Sequence, residues 1–250
     1  FATRPNVALG TAVDAVQREA RAVLPADVTS QLSGDTQAFA QAQSGLLALL
    51  FVAIARPQWG FNWETAKQSG LDIIVAQGHD GGGHISPIGT LALIPQVVDA
   101  VGDTPVLGAG GIVDGRGVAA AFMLGAEGVW VGSAFLASKE ANIFDFQKQA
   151  IVDATEEGTV ISRSVTGKPA RIIRSKWTDL WSRSGRDPLP MPYQGMVAGP
   201  VMAAANRDHR GDINPGFAGQ GIGMIRSVRP AAEIFRDLVT GAERALARGR

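Results

Sequence analysis

His84 is the residue in this chain best placed to do chemistry. It closes the run VAQGHDGGGH (Val75–His84), directly after three glycines at the end of an apolar stretch. A core histidine has little reason to follow three glycines. An imidazole facing a ligand does, and its ordinary pKa of about 6.5 suits proton transfer at neutral pH. The plainer alternative is a histidine that only closes the loop. Two further runs, VLGAGGI (Val106–Ile112) and GVWVGSAF (Gly128–Phe135), repeat the pattern of an apolar stretch ending in glycine before a helix-like segment. Glycine lets backbone N–H groups approach a ligand closely. Several such turns at the C-terminal ends of parallel strands make a site for a phosphate-bearing cofactor. On this reading Gly110, Gly111, Gly132 and the Ser133 hydroxyl hold the phosphate, and the helix starting near Asp114 adds a positive dipole end.

Other chemistries are poorly supplied. There is no cysteine, which excludes disulfides, thiolate metal sites and a cysteine nucleophile. The histidines are His79, His84 and His209, none paired at the spacing of a helical zinc motif, so no metal site is expected. His79 reads as a surface loop residue, and His209 lies in the polar run NRDHRGD. No serine sits in a nucleophile-elbow context, and Gly108–Gly111 lacks dinucleotide-fingerprint spacing. The formal net charge is +0, so nothing in the bulk electrostatics points to nucleic acid.

These turns need strands and helices to position them. Asp72–Ala76, Thr104–Leu107 and Gly128–Val131 read as buried parallel strands, with one more near Val160–Arg163. Asn62–Ser69, Thr90–Val101, the segment after Asp114, Glu140–Ala154 and Pro230–Ala247 read as helices. Strand–helix alternation with such short connections implies parallel pairing and right-handed crossovers. A closed barrel needs eight strands. The expected fold is therefore α/β: partial TIM-barrel-like parallel strand–helix units with additional helices. Such a sheet leaves edges unpaired, and formation of a homo-oligomer would cover them. The basic stretch from Arg163 to Arg186 reads as a solvated, irregular surface or as a flap near an anion. Pro188–Pro192 and Asn214–Gly223 read as loops.

Residues 1–55 read differently. Val13, Val16, Ala20 and Val23 recur at helical spacing, and Thr36–Ala55 looks helical and increasingly apolar. The run Leu46–Ala55 falls short of the roughly 20 apolar residues of a spanning helix, and Phe1–Val13 has no apolar signal-peptide core. The expectation is a protein of the cytoplasm, not of the membrane. LPADVTSQLSGDTQAF followed by a leucine-rich helix resembles a fragment of a resistance-nodulation-division efflux transporter. The chain is thus expected to divide into a helical segment of foreign origin, 1–55, and a barrel portion, 56–250.

From about residue 59 the chain resembles the nitronate monooxygenase family. The motifs AQGHDGGGH, GAGGIVDGRG, EGVWVGSAFLAS, SVTGKPAR, MPYQG and GFAGQGIG carry the resemblance, in that order. It implies the C-terminal portion of an FMN-binding (β/α) barrel, with His84 as catalytic base. It implies Gln77 at the flavin ring or ribityl chain and Gly82 and Gly83 against the cofactor. Gly110, Gly111, Gly132 and Ser133 would hold the phosphate, with Trp130 and Val131 supplying neighbouring backbone, and Gln220 and Gly221 would close over the flavin. The implied reaction oxidises a nitronate or nitroalkane to a carbonyl product with O2. The same motifs also fit a flavin-dependent enoyl-thioester reductase, and an inactive FMN-binding fragment is the non-catalytic alternative.

Overall fold

The computed structural model describes residues 52–54 and 71–248. Four strands, Val52–Ile54 (β1), Ile73–Gln77 (β2), Val106–Ala109 (β4) and Gly128–Trp130 (β5), form one parallel sheet in the order β1-β2-β4-β5. Register is fixed by pairs such as Val52↔Ile73, Val75↔Leu107 and Gly108↔Val129. The strands are short; β2 opens on the β-branched run Ile73–Val75 and, flanked on both sides, has its three central residues buried. The other edge of β5 carries no strand among the described residues.

β1 corrects the sequence reading, which ran a helix through Ala55. An apolar run such as LLFVAIA has no alternation to separate a buried strand from a buried helix, and pairing with β2 decides for the strand at Val52–Ile54. The rest of residues 1–55, and the helix expected over Asn62–Ser69, lie outside the described residues.

Helices Thr90–Val101 (α1) and Gly115–Met123 (α2) follow β2 and β4. Leu93, Ile94, Val97 and Val101 of α1 are buried and share one apolar core with Ile74, Ala76 and Val106 of the sheet. Each such side chain contributes about 1.5–3 kcal/mol when fully withdrawn from water. Asp114 caps α2, accepting from the N–H groups of Arg116 and Gly117, as the sequence predicts. Partial burial pushes its carboxyl up, but hydrogen bonds from the Arg116 side chain and the Gly117 N–H outweigh this and hold it below the usual carboxylate value.

After β5 come Ser133–Leu136 (α3) and Asp145–Asp153 (α4). The helix expected from Glu140 starts five residues later because Glu140 serves elsewhere. Its carboxylate accepts from the N–H of Ala231, 2.8 Å away, at the start of the last helix, Ala231–Ala247 (α7). Ile234, Leu238 and Ala242 form the buried face of α7, as their spacing predicts. Gly115 touches the backbone of Gly241 and Ala242, so α2 and α7 meet with no side chain between them.

The basic stretch is not irregular: it carries a strand and a helix, while Arg174, Lys176, Arg183 and Arg186 are exposed as the solvated reading expects. Gly83–His84 (β3), Ala170–Ile173 (β7) and Thr159–Ser162 (β6) form an antiparallel sheet in the order β3-β7-β6. Lys176–Ser184 (α5) follows, with Ser175 and Thr178 forming a reciprocal capping box and Gly185 ending the helix at φ 65°. Arg171 is buried, and its guanidinium donates to the His79 carbonyl at 3.1 and 3.3 Å and to Thr159 Oγ1 at 3.2 Å. Tyr193–Arg207 (α6) is a helix the sequence reading did not draw.

Candidate functional site

The three glycine turns meet at the C-terminal ends of β2, β4 and β5. The turn after β2 folds back on its own strand. Gly78 N–H donates to the Ala109 carbonyl at 3.0 Å, Gly81 N–H to the Gly78 carbonyl at 3.1 Å, and the Gln77 side-chain amide to the carbonyls of His84 at 3.0 Å and Gly82 at 3.4 Å. Asp80 Oδ2 accepts from the N–H of Thr90 at 2.9 Å, which ties the turn to the start of α1.

The turn after β4 depends on glycine for its backbone. Gly110 and Gly111 have φ of 106° and 73°, in the left-handed half of the map that side chains disfavour. The turn after β5 runs through Trp130, Val131 and Gly132 to Ser133. Here Ser133 Oγ accepts from the N–H of Gly219 at 2.9 Å, which leaves the hydroxyl proton to donate elsewhere.

A fourth segment closes on these turns. Gln220 N–H donates to the Asp80 carbonyl at 2.8 Å. A Cβ on Gly82 would stand 2.7 Å from the Ala218 carbonyl carbon, and one on Gly219 would stand 2.8 Å from the Asp80 oxygen. Glycine on both sides permits this backbone-on-backbone contact. The four segments enclose a hollow of about 150 Å³.

Of the residues predicted from sequence, Gln77, Gly82, Gly110, Gly111, Trp130, Gly132 and Ser133 line this hollow. Gly219 and Gly221 line it too; the sequence reading anticipated Gly221 and passed over Gly219. Its missed signal was the glycine spacing within GFAGQGIG. Gln220, expected beside Gly221, is not among the lining residues and lies exposed. Gly83, His84 and Val131 are also outside the lining. Gly83 has φ 74° and pairs with Arg171 in the antiparallel sheet, and Val131 packs against the core. The half-buried imidazole of His84 places Nε2 2.8 Å from Thr166 Oγ1, and the His84 carbonyl is the one that Gln77 holds. His79 Nδ1 lies 3.1 Å from the Ser86 carbonyl, and His209 is exposed against Phe144 and Phe146.

Among the described residues, no acidic or basic side chain lines the hollow. Its polar groups are backbone amides, the Ser133 hydroxyl and the Gln77 carboxamide. This donor set suits an anion, because amides and a hydroxyl supply N–H and O–H without a competing carboxylate. The volume holds a phosphate-sized group and is smaller than the roughly 300–1,000 Å³ of a site enclosing a whole cofactor-sized molecule. Among the described residues no cluster of His, Asp or Glu could hold a metal ion, and no helix is long and apolar enough to cross a membrane.

A family model described as nitronate monooxygenase matches residues 14–241. The chain belongs to the nitronate monooxygenase family. A Bacillus subtilis protein named as a nitronate monooxygenase is 40% identical over 181 residues, covering 69% of this chain and 52% of its own length. A Mycobacterium tuberculosis protein named as a monooxygenase is 46% identical over 182 residues, covering 68% and 48%. The chain therefore spans about half the length of the curated relatives it matches. Among solved structures, a nitroalkane oxidase from Streptomyces ansochromogenes aligns with a TM-score of 0.70 at 30% identity, over 80% of this chain and 59% of that one. FabK from Thermotoga maritima aligns with a TM-score of 0.65 at 30% identity, over 79% and 61%. The family match enters the chain at residue 14, within the segment read as foreign, and the efflux-transporter resemblance finds no support in these relatives.

Proposed function

We propose that this chain is an FMN-dependent oxidoreductase that converts nitronates and nitroalkanes to carbonyl products with O2, with His84 as general base. One observation carries the reading: in a chain of the nitronate monooxygenase family, glycine turns from three neighbouring parallel strands line one anion-suited hollow together with the Ser133 hydroxyl.

FMN fits by its phosphate end. The N–H groups of Gly110, Gly111 and Gly132 and the hydroxyl of Ser133 would hold the phosphate, while Gln77 and Gly82 would meet the chain that leaves it. When bound, FMN supplies the redox chemistry, accepting electrons from the substrate and passing them to oxygen. The protein's own tasks are orientation and one proton transfer. For a neutral nitroalkane, the α C–H bond breaks, the proton passes to the imidazole of His84, and the electron pair stays on the substrate as the nitronate. A preformed nitronate needs no such step. Trp130, half exposed beside Gly132, offers an apolar wall at the mouth.

The test is oxygen uptake by the FMN-loaded protein with a nitronate and with its parent nitroalkane, in wild type and His84→Ala. The proposal expects turnover without nicotinamide. It expects His84→Ala to lower kcat/KM for the nitroalkane by about 10²–10⁴-fold, the usual worth of a general base, and to change it less than about tenfold for the nitronate. Equal losses on both substrates remove the base assignment. Oxidation of NAD(P)H that depends on an enoyl thioester, with no oxygen uptake on a nitronate, replaces the whole reading with that of a reductase.

A further inference from the structure

We infer that Arg171 is a positioning residue that fixes the loop 78–82 between β2 and β3, and so holds the cofactor hollow and His84 at a set spacing. The inference rests on the reading of His84 as base and deepens it. Arg171 touches this part of the chain at two places. Its backbone lies opposite Gly83 in the antiparallel sheet, beside the pair of His84 with Ala170. Its side chain reaches back to His79, where Nη2 and Nε donate to one carbonyl at 3.1 and 3.3 Å. Nη1 donates to Thr159 Oγ1 of β6 at 3.2 Å, which aims the fork. Between the two points of contact lie Gly81 and Gly82, which line the hollow.

The loop needs such a brace. Gly81, Gly82 and Gly83 have no side chains to pack, and glycine loses more conformational freedom on folding than any other residue. Thr90 N–H holds the Asp80 carboxylate at 2.9 Å, and Gln220 N–H holds the Asp80 carbonyl at 2.8 Å. Arg171 holds the carbonyl just before them. A guanidinium is a demanding choice for this position. Arg171 is buried, and among the described residues it makes no ion pair. Burial pulls its pKa down, and the Asp80 carboxylate acts against this through space, without a direct bond. A well-packed hydrophobic side chain is often as stabilising as a buried charge, or more so, because it escapes the cost of desolvation. Packing alone therefore does not account for arginine here. What a hydrophobic side chain cannot supply is the fork, with two charge-assisted N–H bonds on one loop carbonyl.

The experiment combines amide hydrogen exchange of the apoprotein, FMN titration by tryptophan fluorescence, and turnover at saturating FMN, in wild type, Arg171→Met and Arg171→Lys. Methionine keeps an unbranched side chain and removes the donors. It is expected to speed exchange in peptides across 78–84 by about tenfold or more, with the sheet and helix peptides unchanged. It should weaken FMN binding by about tenfold to a hundredfold, the worth of one charge-assisted hydrogen bond. It should lower kcat on neutral nitroalkanes by about tenfold to a hundredfold, the range reached when a catalytic group is displaced by an ångström, with nitronate turnover little changed. Arg171→Lys keeps the charge with a single point of contact and should fall between. Loop exchange at the wild-type rate, acceleration spread evenly over all peptides, or unchanged FMN affinity overturns the inference. If Arg171→Met does not fold, Arg171→Lys is judged by the same three results. Failure of the base reading looks different: Arg171→Met still loosens the loop and weakens FMN binding, while His84→Ala no longer discriminates between nitroalkane and nitronate.

Discussion

Gly132→Val is the cleanest perturbation of the hollow. Gly132 lines it with φ −105°, a value any residue adopts, and a Cβ built there meets nothing within 4 Å. Valine therefore costs little in folding, and unfolding stability should stay within about 0.5 kcal/mol of wild type, as for most surface substitutions. Its branched side chain instead occupies the space beside Ser133 that the phosphate would use. Hydrogen bonds to a charged group are worth about 1.5–3 kcal/mol each. Losing two of them, one from an amide and one from the Ser133 hydroxyl, removes about 3–6 kcal/mol, or roughly 10²–10⁴-fold in Kd. Tryptophan fluorescence titration of the apoprotein with FMN reads this directly, and urea unfolding of the same samples provides the folding control. Gly132→Ala should fall between the two. A folded Gly132→Val chain that binds FMN with wild-type affinity refutes the placement of the phosphate.

Two further perturbations test the frame around the hollow. Gly82→Ala forces a methyl to 2.7 Å from the Ala218 carbonyl carbon; it should destabilise the chain by about 1–3 kcal/mol, the cost of overpacking, in urea unfolding and loosen FMN binding as well. Asp114→Ala removes the cap of α2 and should cost about 1 kcal/mol at neutral pH. Because the folded carboxyl is held below its unfolded value, that contribution is present above the ordinary carboxylate range and fades as pH falls through the folded pKa. Wild type and Asp114→Ala should therefore converge in thermal unfolding at acid pH, and a constant difference across the range would contradict the cap's role.

Part of the parallel fold was readable locally: Ile73–Val75 is a β-branched run, Gly102 follows α1 and Asp114 caps α2. Asp114 before Gly115 and the apolar face Ile234, Leu238, Ala242 needed no tertiary information. The glycine turns were readable for the same local reason, and they account for most of the hollow. What escaped depends on contacts distant in sequence. β3 is two residues long and exists only because β7 pairs with it. Glu140 reads as a helix start until the N–H of Ala231 is seen against it. Gly219 lines the hollow through a bond to Ser133 across 86 positions. α6 contains Gly195, Gly199 and Pro200, which weaken any local helix signal. Ser175 and Gly185 did mark α5, but the arginines and lysines between Arg163 and Arg186 suggested an irregular surface. A helix with a capping box tolerates that charge on its exposed side.

The claim on which the account depends is that turns after three neighbouring strands grip a phosphate. Side-by-side titration of the apoprotein with FMN and with riboflavin, which lacks only that phosphate, tests it most directly. The account predicts FMN tighter by at least about 10²-fold, the worth of two charge-assisted hydrogen bonds. Equal affinities for the two flavins would contradict it.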